Sequence, residues 1–187
     1  MSFRAEQKRA LDYARRRGTD APVEAIRERV AATFATLDAL VETIAPAVAR
    51  DHRSTSAWSI HEVVDHLVES DRPAVEQLAQ LLAGQSVEKA IPASLQSAAP
   101  LAKDWNDLRA QLRGVHSDLL AVIAVATGDE PTVATASVQM VVKCAAADGT
   151  LEPVAWLERF DWKAFAILLH AHNREHIAQI QRILAAT

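Results

Sequence analysis

The sequence predicts an all-α fold, a four-helix bundle with a leading N-terminal helix, and three observations favour it. Half of the 187 residues are hydrophobic but only 5% are aromatic, so aliphatic residues supply most of the apolar content, a balance that favours packed helices. Only five glycines are present, fewer than the tight turns of a sandwich or barrel need. Four long segments repeat their apolar residues in steps of three and four, the period of an amphipathic helix. The length favours a single domain over residues 1–187.

The leading segment and the first bundle helix are predicted from the N-terminal quarter of the chain. Residues 3–17 are helix-like but highly charged, which indicates a solvated helix rather than a binding arm. The first bundle helix is predicted to span residues 23–48, with Pro22 at its first turn, where proline is tolerated.

The second bundle helix is predicted to begin at a capping box. Ser59 can accept from the backbone N–H of Glu62 while the Glu62 carboxylate reaches back. Pro73 lies inside the apolar stripe and is expected to kink the helix or to end it early. Gly84 and a loop with Pro92 and Pro100 close this element.

The third bundle helix is predicted over residues 101–126, and the fourth begins near Asp161 and runs to the C-terminus. Roughly thirty residues lie between them, far more than a bundle turn needs. Residues 132–143 are rich in Val and Thr, and Asp148 and Gly149 form a hairpin-type turn pair. We expect a long irregular excursion or a short hairpin there, and then one or two helical turns in the stretch VAWLERF after Pro153.

Charge and cysteine content exclude several classes of protein. The formal net charge is −4, with 24 acidic and 20 basic residues, so nucleic acid is not an expected partner. Cys144 is the single cysteine and cannot form an intrachain disulfide. No secretory signal is evident, and no apolar run approaches the roughly 20 residues that cross a bilayer. We expect a cytoplasmic protein without a membrane partner.

Two histidines lie on the apolar face of the fourth helix. At about 100° per residue from Phe165, His172 and His176 fall within roughly 20° of the centre of the stripe. An unpaired buried polar group costs about 1–3 kcal/mol, so two imidazoles there need partners. Residues four apart are neighbours on a helix surface, and both rings can bind one divalent cation.

A third metal ligand must come from another helix, and His66 is the best candidate. It flanks the apolar stripe of the second bundle helix, beside Leu67. The alternative for His66 is a partly exposed side chain paired with Glu62, one turn earlier.

The other histidines are weaker candidates. His116 lies at the edge of the third helix's apolar face and competes with His66, but is ranked as a core or outer-shell residue. His52, His61 and His170 are predicted to lie at the surface. Gln179 shares the stripe of the last helix, and either contacts the outer shell of the metal or lies in the core.

Several other types of site are disfavoured. The sequence HNREH lacks the Glu of the HExxH zinc proteases, because Asn173 follows His172. The sequence has no phosphate-binding glycine loop, no nucleophile elbow and no cysteine pair for structural zinc.

The stretches WSIHEVVDHLVESD and LLHAHNREHIAQIQRIL, about a hundred residues apart, resemble the DinB and YfiT-like superfamily of metal-binding four-helix bundles. The residues that match the superfamily pattern are Trp58, Glu62, His66, Leu67, His172, His176, Gln179 and Ile180. The resemblance implies that the three histidines bind one divalent metal ion, zinc or nickel, with water as the remaining ligand. It also implies a homodimer, and an activity such as thiol-dependent transfer, thiol-dependent isomerisation or peptidase-like hydrolysis.

Three neutral imidazoles leave a coordination position open, as in catalytic zinc sites. We therefore predict a metal-dependent enzyme that acts on a small-molecule substrate with a low-molecular-weight thiol. The alternative is a non-catalytic metal-binding or stress-associated module, because Glu62, Asp65 and Glu69 are taken as surface charges and no general base is evident. A bundle without metal is the third hypothesis. An open cavity at the free coordination position would favour the enzyme, and a sealed shell would favour the module.

Overall fold

The computed structural model describes residues 2–52, 58–128, 133–145 and 149–186. The elements follow in the order α1 (Phe3–Ala14), a π-helical turn (Arg15–Thr19), α2 (Val23–Glu42), α3 (Pro46–Arg50), α4 (Ile60–Leu82), a 3₁₀ turn (Pro100–Ala102), α5 (Trp105–Ala124), β1 (Ala136–Ala145), β2 (Leu151–Phe160) and α6 (Trp162–Ala185).

Four long helices form the bundle that the sequence predicts. Helix α4 packs against α5, α5 against α2, α2 against α6 and α6 against α4, which closes a ring of four. Their apolar side chains form two core clusters, one at each end of the bundle. None of the helices among the described residues combines the length and hydropathy that a membrane span requires.

The first bundle helix is shorter than predicted because Pro46 starts a new helix. Helix α2 ends at Glu42, and α3 begins at Pro46 with Ala45 as its N-cap. Proline has no backbone N–H and suits the first helical position, so it separates the two helices.

The second bundle helix begins as predicted but passes through its proline. The capping box between Ser59 and Glu62 is present in both directions. Helix α4 nevertheless continues past Pro73 to Leu82, so the expectation of an early end is wrong. A proline inside a helix costs about 3 kcal/mol. Burial of Ala74, Leu78 and Leu81 beyond it offsets that cost.

The third and fourth bundle helices lie close to their predicted spans. Helix α5 begins at Trp105, after the 3₁₀ turn, with Asp104 as its N-cap. Asp161 caps α6 by accepting from the backbone N–H groups of Lys163 and Ala164. Pro131, expected near the end of the third helix, lies outside the described residues.

The excursion between α5 and α6 contains an antiparallel hairpin of two ten-residue strands, so the fold is not entirely α. The stretch VAWLERF belongs to β2, and the prediction of helical turns there is wrong. Its inward residues alternate, with Val154 and Trp156 half-buried between exposed Ala155 and Leu157, which is the period of a strand. Thr132 and Asp148 lie outside the described residues, whereas Gly149 takes a positive φ of 85°.

Helix α1 and the hairpin lie together against one side of the bundle. Strand β1 packs against α1 and α6, and the rings of Phe3 and Trp156 meet edge to face at 5.5 Å. Ala14 and Gly18 are buried, although most of the charged side chains of α1 stay at least partly exposed. The leading helix is therefore solvated on one face and packed on the other.

The close approach of the π-helical turn to α6 gives a test of this packing. A Cβ atom added at Gly18 would lie 2.5 Å from the Cα of Ala164, which is backbone and cannot rotate away. We expect Gly18→Ala to lower the free energy of unfolding by about 1–3 kcal/mol. Gly114→Ala is the control, because nothing lies within 4 Å of its new Cβ in α5 and it should stabilise the helix by about 0.5–1 kcal/mol. Urea denaturation of both variants measures the difference, and equal effects would contradict the packing.

Candidate metal centre

Helices α4 and α6 bring three histidines to one point. The Nε2 atom of His172 lies 3.0 Å from Nε2 of His66 and 3.1 Å from Nε2 of His176. All three ligand atoms lie within 4.8 Å of one another, and the group could hold a metal ion. His172 and His176 are one helical turn apart on α6, and His66 reaches them from the neighbouring helix α4.

Hydrogen bonds set the tautomers of two of these rings. His66 donates from Nδ1 to the backbone oxygen of Leu95, at 2.8 Å. His176 donates from Nδ1 to Oε1 of Gln179, also at 2.8 Å. Each ring then keeps an unprotonated Nε2, and both lone pairs face His172. Such bonds at the remote ring nitrogen are how proteins orient histidines for metal binding.

The spacing of the Nε2 atoms fits a single divalent cation. Two nitrogens bound to one tetrahedral zinc ion at about 2.0–2.1 Å lie about 3.3 Å apart. The separations of 3.0 and 3.1 Å are close to that value. Without a cation, Nε2 of His172 can carry one proton for two acceptors, Nε2 of His66 and Nε2 of His176, whereas a cation would bind all three nitrogens.

Burial keeps the three imidazoles neutral. Removal from water lowers the pKa of His66, and lowers the pKa of His176 to about 4. The pKa of His172 falls well below its usual value because of burial and the neighbouring rings of His176 and His66. Neutral imidazole is the form that binds a metal ion, so protons do not compete for the site near neutral pH.

The site lies in the wall of a cavity rather than in the centre of the core. His172 keeps 32% of its side chain exposed, which differs from the fully buried position that the helical wheel of α6 predicts. The wheel places this face inward correctly, but the space in front of it is a cavity of about 530 Å³ that all three histidines line. Other walls come from α1, the loop after α4, and β1.

A layer of buried polar residues separates the two apolar clusters beside the histidines. Asp71 of α4 accepts from Nδ2 of Asn173, at 3.0 Å, and both residues are fully buried. His116 of α5 is stacked on Phe34 and is bonded through Nδ1 to Asp38, at 2.8 Å. His116 therefore lies in the core as one of its predicted roles requires, and it is not one of the three converging rings.

The Asp71 carboxylate lies between the histidine cluster and His116. Its Oδ1 is 3.9 Å from Nδ1 of His172, and its Oδ2 is 4.0 Å from Nε2 of His116. Among the described residues, Oδ1 of Asp71 and Nε2 of His116 have no hydrogen-bond partner. A small movement of Asp71 toward Nδ1 of His172 would complete a carboxylate–histidine hydrogen bond of the kind that supports metal ligands.

Of the three histidines predicted to lie at the surface, only one does. His52 has half of its side chain exposed, as expected. His61 is 0% exposed and packs against Trp105, and His170 is 7% exposed and is bonded through Nδ1 to Thr33. Both predictions are wrong because α4 and α6 each have two packed neighbours, so residues beyond the main apolar stripe face a second helix.

The acidic residues of α4 anchor the loop that orients His66. Glu62 is engaged in the capping box, so the alternative pairing of Glu62 with His66 is wrong. Asp65 is fully buried rather than a surface charge, and accepts from the backbone N–H and the hydroxyl of Ser97. Lys103 lies 2.6 Å from Asp65 and 2.9 Å from Glu69. These contacts hold the segment that carries the Leu95 carbonyl against α4.

Sequence reasoning missed Asp71, Asn173 and the Leu95 carbonyl. Asp71 lies five residues after His66, and Asn173 directly follows His172, so both are close in sequence to the predicted ligands. The sequence does not reveal that they are buried, because an acidic residue and an amide in a helical pattern are expected to face solvent. A backbone carbonyl in a loop leaves no trace in the sequence.

Comparison with known proteins agrees with this architecture. The family model of the DinB superfamily matches residues 29–180. YfiT from Bacillus subtilis, described as a probable metal-dependent hydrolase with an unusual four-helix bundle topology, has a similar structure with a TM-score of 0.62. The two chains are 16% identical, and the similarity covers 86% of this chain and 85% of YfiT. No curated protein matches the sequence.

The buried carboxylate of Asp71 gives a pH test of the polar layer. Burial raises its pKa from 3.8 to about 6, so the folded state binds this proton more tightly than the unfolded chain does. Stability is therefore lost as pH rises from about 4 to about 6. Asp71→Asn removes the titration, and in protein treated with a chelator its stability relative to the natural sequence should rise over that interval by up to about 3 kcal/mol.

Urea denaturation at pH 4 and pH 7 measures this change. Asp118→Asn makes the same change in net charge at an exposed position of α5 and serves as the control. A constant difference between Asp71→Asn and the natural sequence at both pH values would contradict the assignment.

Proposed function

The chain belongs to the DinB superfamily, and we propose that it is a metal-dependent enzyme whose one divalent cation is held by His66, His172 and His176. One observation carries the proposal: the three Nε2 atoms converge at the wall of a cavity large enough for a small molecule. Small-molecule sites have volumes of about 300–1,000 Å³, and this cavity has about 530 Å³.

The donor set favours zinc or nickel, with water as the remaining ligand. Neutral imidazoles suit borderline metals, and three of them leave a position open to the cavity. A cation held there would lower the pKa of a water molecule or a thiol at the open position, because its charge would stabilise the deprotonated form.

The protein's own residues supply orientation and a site of low polarity. The Leu95 carbonyl and the Gln179 side chain fix the rings of His66 and His176 so that their Nε2 atoms would be available to hold the cation. Asp71 lies behind His172 and can fix the third ring in the same way. A preorganised ligand set holds the reacting group in place without reorganisation during the reaction.

The reaction that we propose is attack of a low-molecular-weight thiol on an electrophilic substrate. The thiol loses its proton and its sulfur bonds to the electrophilic carbon. In S-transfer the bond from that carbon to the leaving group breaks, whereas in thiol-assisted isomerisation the new carbon–sulfur bond breaks again after the substrate has rearranged. Thiol-dependent transfer or isomerisation is what the superfamily resemblance implies. Hydrolysis by water is the second candidate, favoured by the structural likeness to YfiT, which is itself described as a probable hydrolase.

The non-catalytic metal-binding or stress-associated module is less consistent with the cavity. A binding module does not need an open approach to its metal, whereas an enzyme does. We further propose a cytoplasmic homodimer that acts on small molecules, without a nucleic-acid or membrane partner.

Metal binding by the three histidines is tested by calorimetric titration of untagged, chelator-treated protein with zinc. We expect one equivalent to bind, and His172→Ala or His176→Ala to weaken binding by at least about 100-fold, since loss of even an outer-shell partner costs 10–100-fold. The control is His52→Ala at a half-exposed position. Unchanged affinity in both ligand variants would refute the assignment.

The nucleophile is tested on protein loaded with cobalt in place of zinc. Direct binding of a small thiol such as 2-mercaptoethanol should add a sulfur-to-cobalt charge-transfer band in the near ultraviolet and shift the visible bands. His176→Ala serves as the matched protein without the complete site. If no small thiol alters the spectrum, thiol transfer is excluded and hydrolysis becomes the better candidate.

A further inference from the structure

We propose that the cavity in front of the three histidines selects ligands with an uncharged, apolar body and a small polar head directed at the metal. This inference rests on the proposed function, because it assigns a substrate class to the same site. It concerns the part of the ligand that lies away from the cation.

The walls of the cavity are mainly aliphatic and aromatic. Tyr13 of α1, Met140 of β1, and Phe165 and Leu168 of α6 line it, and Ile91 contributes from the loop after α4. Transfer of apolar surface from water to such a wall stabilises binding by about 25 cal/mol per Å². A ligand that fills the cavity therefore gains most of its affinity from its apolar body.

The charges of the cavity disfavour an anionic body. Among the described residues that line it, none is Lys or Arg, while Asp71 and Glu175 are both acidic. Carboxylate and phosphate groups are normally bound by Arg, Lys or clustered backbone N–H groups. Placing an anionic group against these apolar walls would desolvate it without a partner.

Neutral polar groups in the wall add limited hydrogen bonding. Ser70 already donates its hydroxyl proton to the His66 carbonyl, and Oε1 of Gln139 accepts from the backbone of Ala93. Gln77 also lines the cavity, but its Oε1 is buried and has no hydrogen-bond partner among the described residues.

The wall contributed by α1 lies outside the part of the chain that the superfamily shares. The family match covers residues 29–180, whereas Ala10 and Tyr13 lie before it. The metal ligands all lie within the match. Residues of α1 therefore shape one wall of the cavity, while other wall residues such as Met140 and Phe165 lie within the match together with the metal ligands.

A series of three hydroxamates tests the inference, because each carries the same metal-binding head. Acetohydroxamic acid has almost no body, octanohydroxamic acid has an alkyl body, and suberic acid monohydroxamate has a body of similar length that ends in a carboxylate. Binding to zinc-loaded protein is followed by titration calorimetry and by tryptophan fluorescence, to which Trp58 in the cavity wall contributes.

We expect the octanoyl compound to bind at least about 30-fold more tightly than the acetyl compound, since each buried methylene contributes up to about 0.8 kcal/mol. The suberic compound should bind at least about tenfold more weakly than the octanoyl compound, because no Lys or Arg among the described wall residues can pair with its carboxylate. Equal binding of all three, or strongest binding of the suberic compound, would overturn the inference.

A cavity-wall variant tests the body of the ligand while the three histidines stay unchanged. Met140 is half-buried in β1, so Met140→Lys is compatible with folding and places a cation at the wall. It should weaken the binding of octanohydroxamate and strengthen the binding of the suberic compound. The difference between their affinities should then become smaller or change sign. Met140→Gln is the control of similar length without charge, and it should leave the preference against the suberic compound in place. If Met140→Lys left the relative affinities of the two compounds unchanged, the alkyl parts of the ligands would not lie against this wall.

Failure of this inference is distinguishable from failure of the proposed function. If zinc itself does not bind to the three histidines, the metal site is wrong. If zinc binds and the acetyl and octanoyl compounds have equal affinity, the site stands and only the assigned ligand class is wrong.

Discussion

Three imidazole nitrogens lie within 4.8 Å of one another, close enough to bind one divalent cation, and the proposed site depends on that convergence. His66 and His176 hold their protons on the far side of the ring, so their Nε2 lone pairs converge on His172. Without a cation, a single proton on Nε2 of His172 serves both acceptor nitrogens, whereas a cation would bind all three. Cation binding to the folded chain alone would therefore also stabilise the fold.

The polar layer around Asp71 and His116 sets the position of the site along the bundle. It interrupts the apolar core between two clusters that hold the ends of the four helices together. Buried polar groups of this kind weaken a core unless they are paired, and Asp71 has only one described partner, Asn173. The apolar clusters on either side supply the stability that such a layer costs. In return the layer places a carboxylate directly behind a predicted metal ligand.

The bundle helices and the histidine pair can be predicted from the sequence because helical periodicity is a local signal. The steps of three and four predict α2, α4, α5 and α6, and the spacing of His172 and His176 predicts that their rings meet. Features that depend on tertiary contacts are not local. The strand β2 reads as a helix until its pairing with β1 is known, and His61 and His170 read as exposed until a second packed helix covers them. The cavity arises from α1, β1 and α6 together, so no segment alone predicts it.

Anomalous X-ray diffraction at the zinc absorption edge, from crystals grown with zinc, tests the central claim most directly. The account predicts one strong peak at about 2.0–2.1 Å from Nε2 of each of the three histidines. It also predicts that the remaining position of the ion faces the cavity. A peak coordinated by a different set of residues, or no peak while the three rings remain in place, would contradict it.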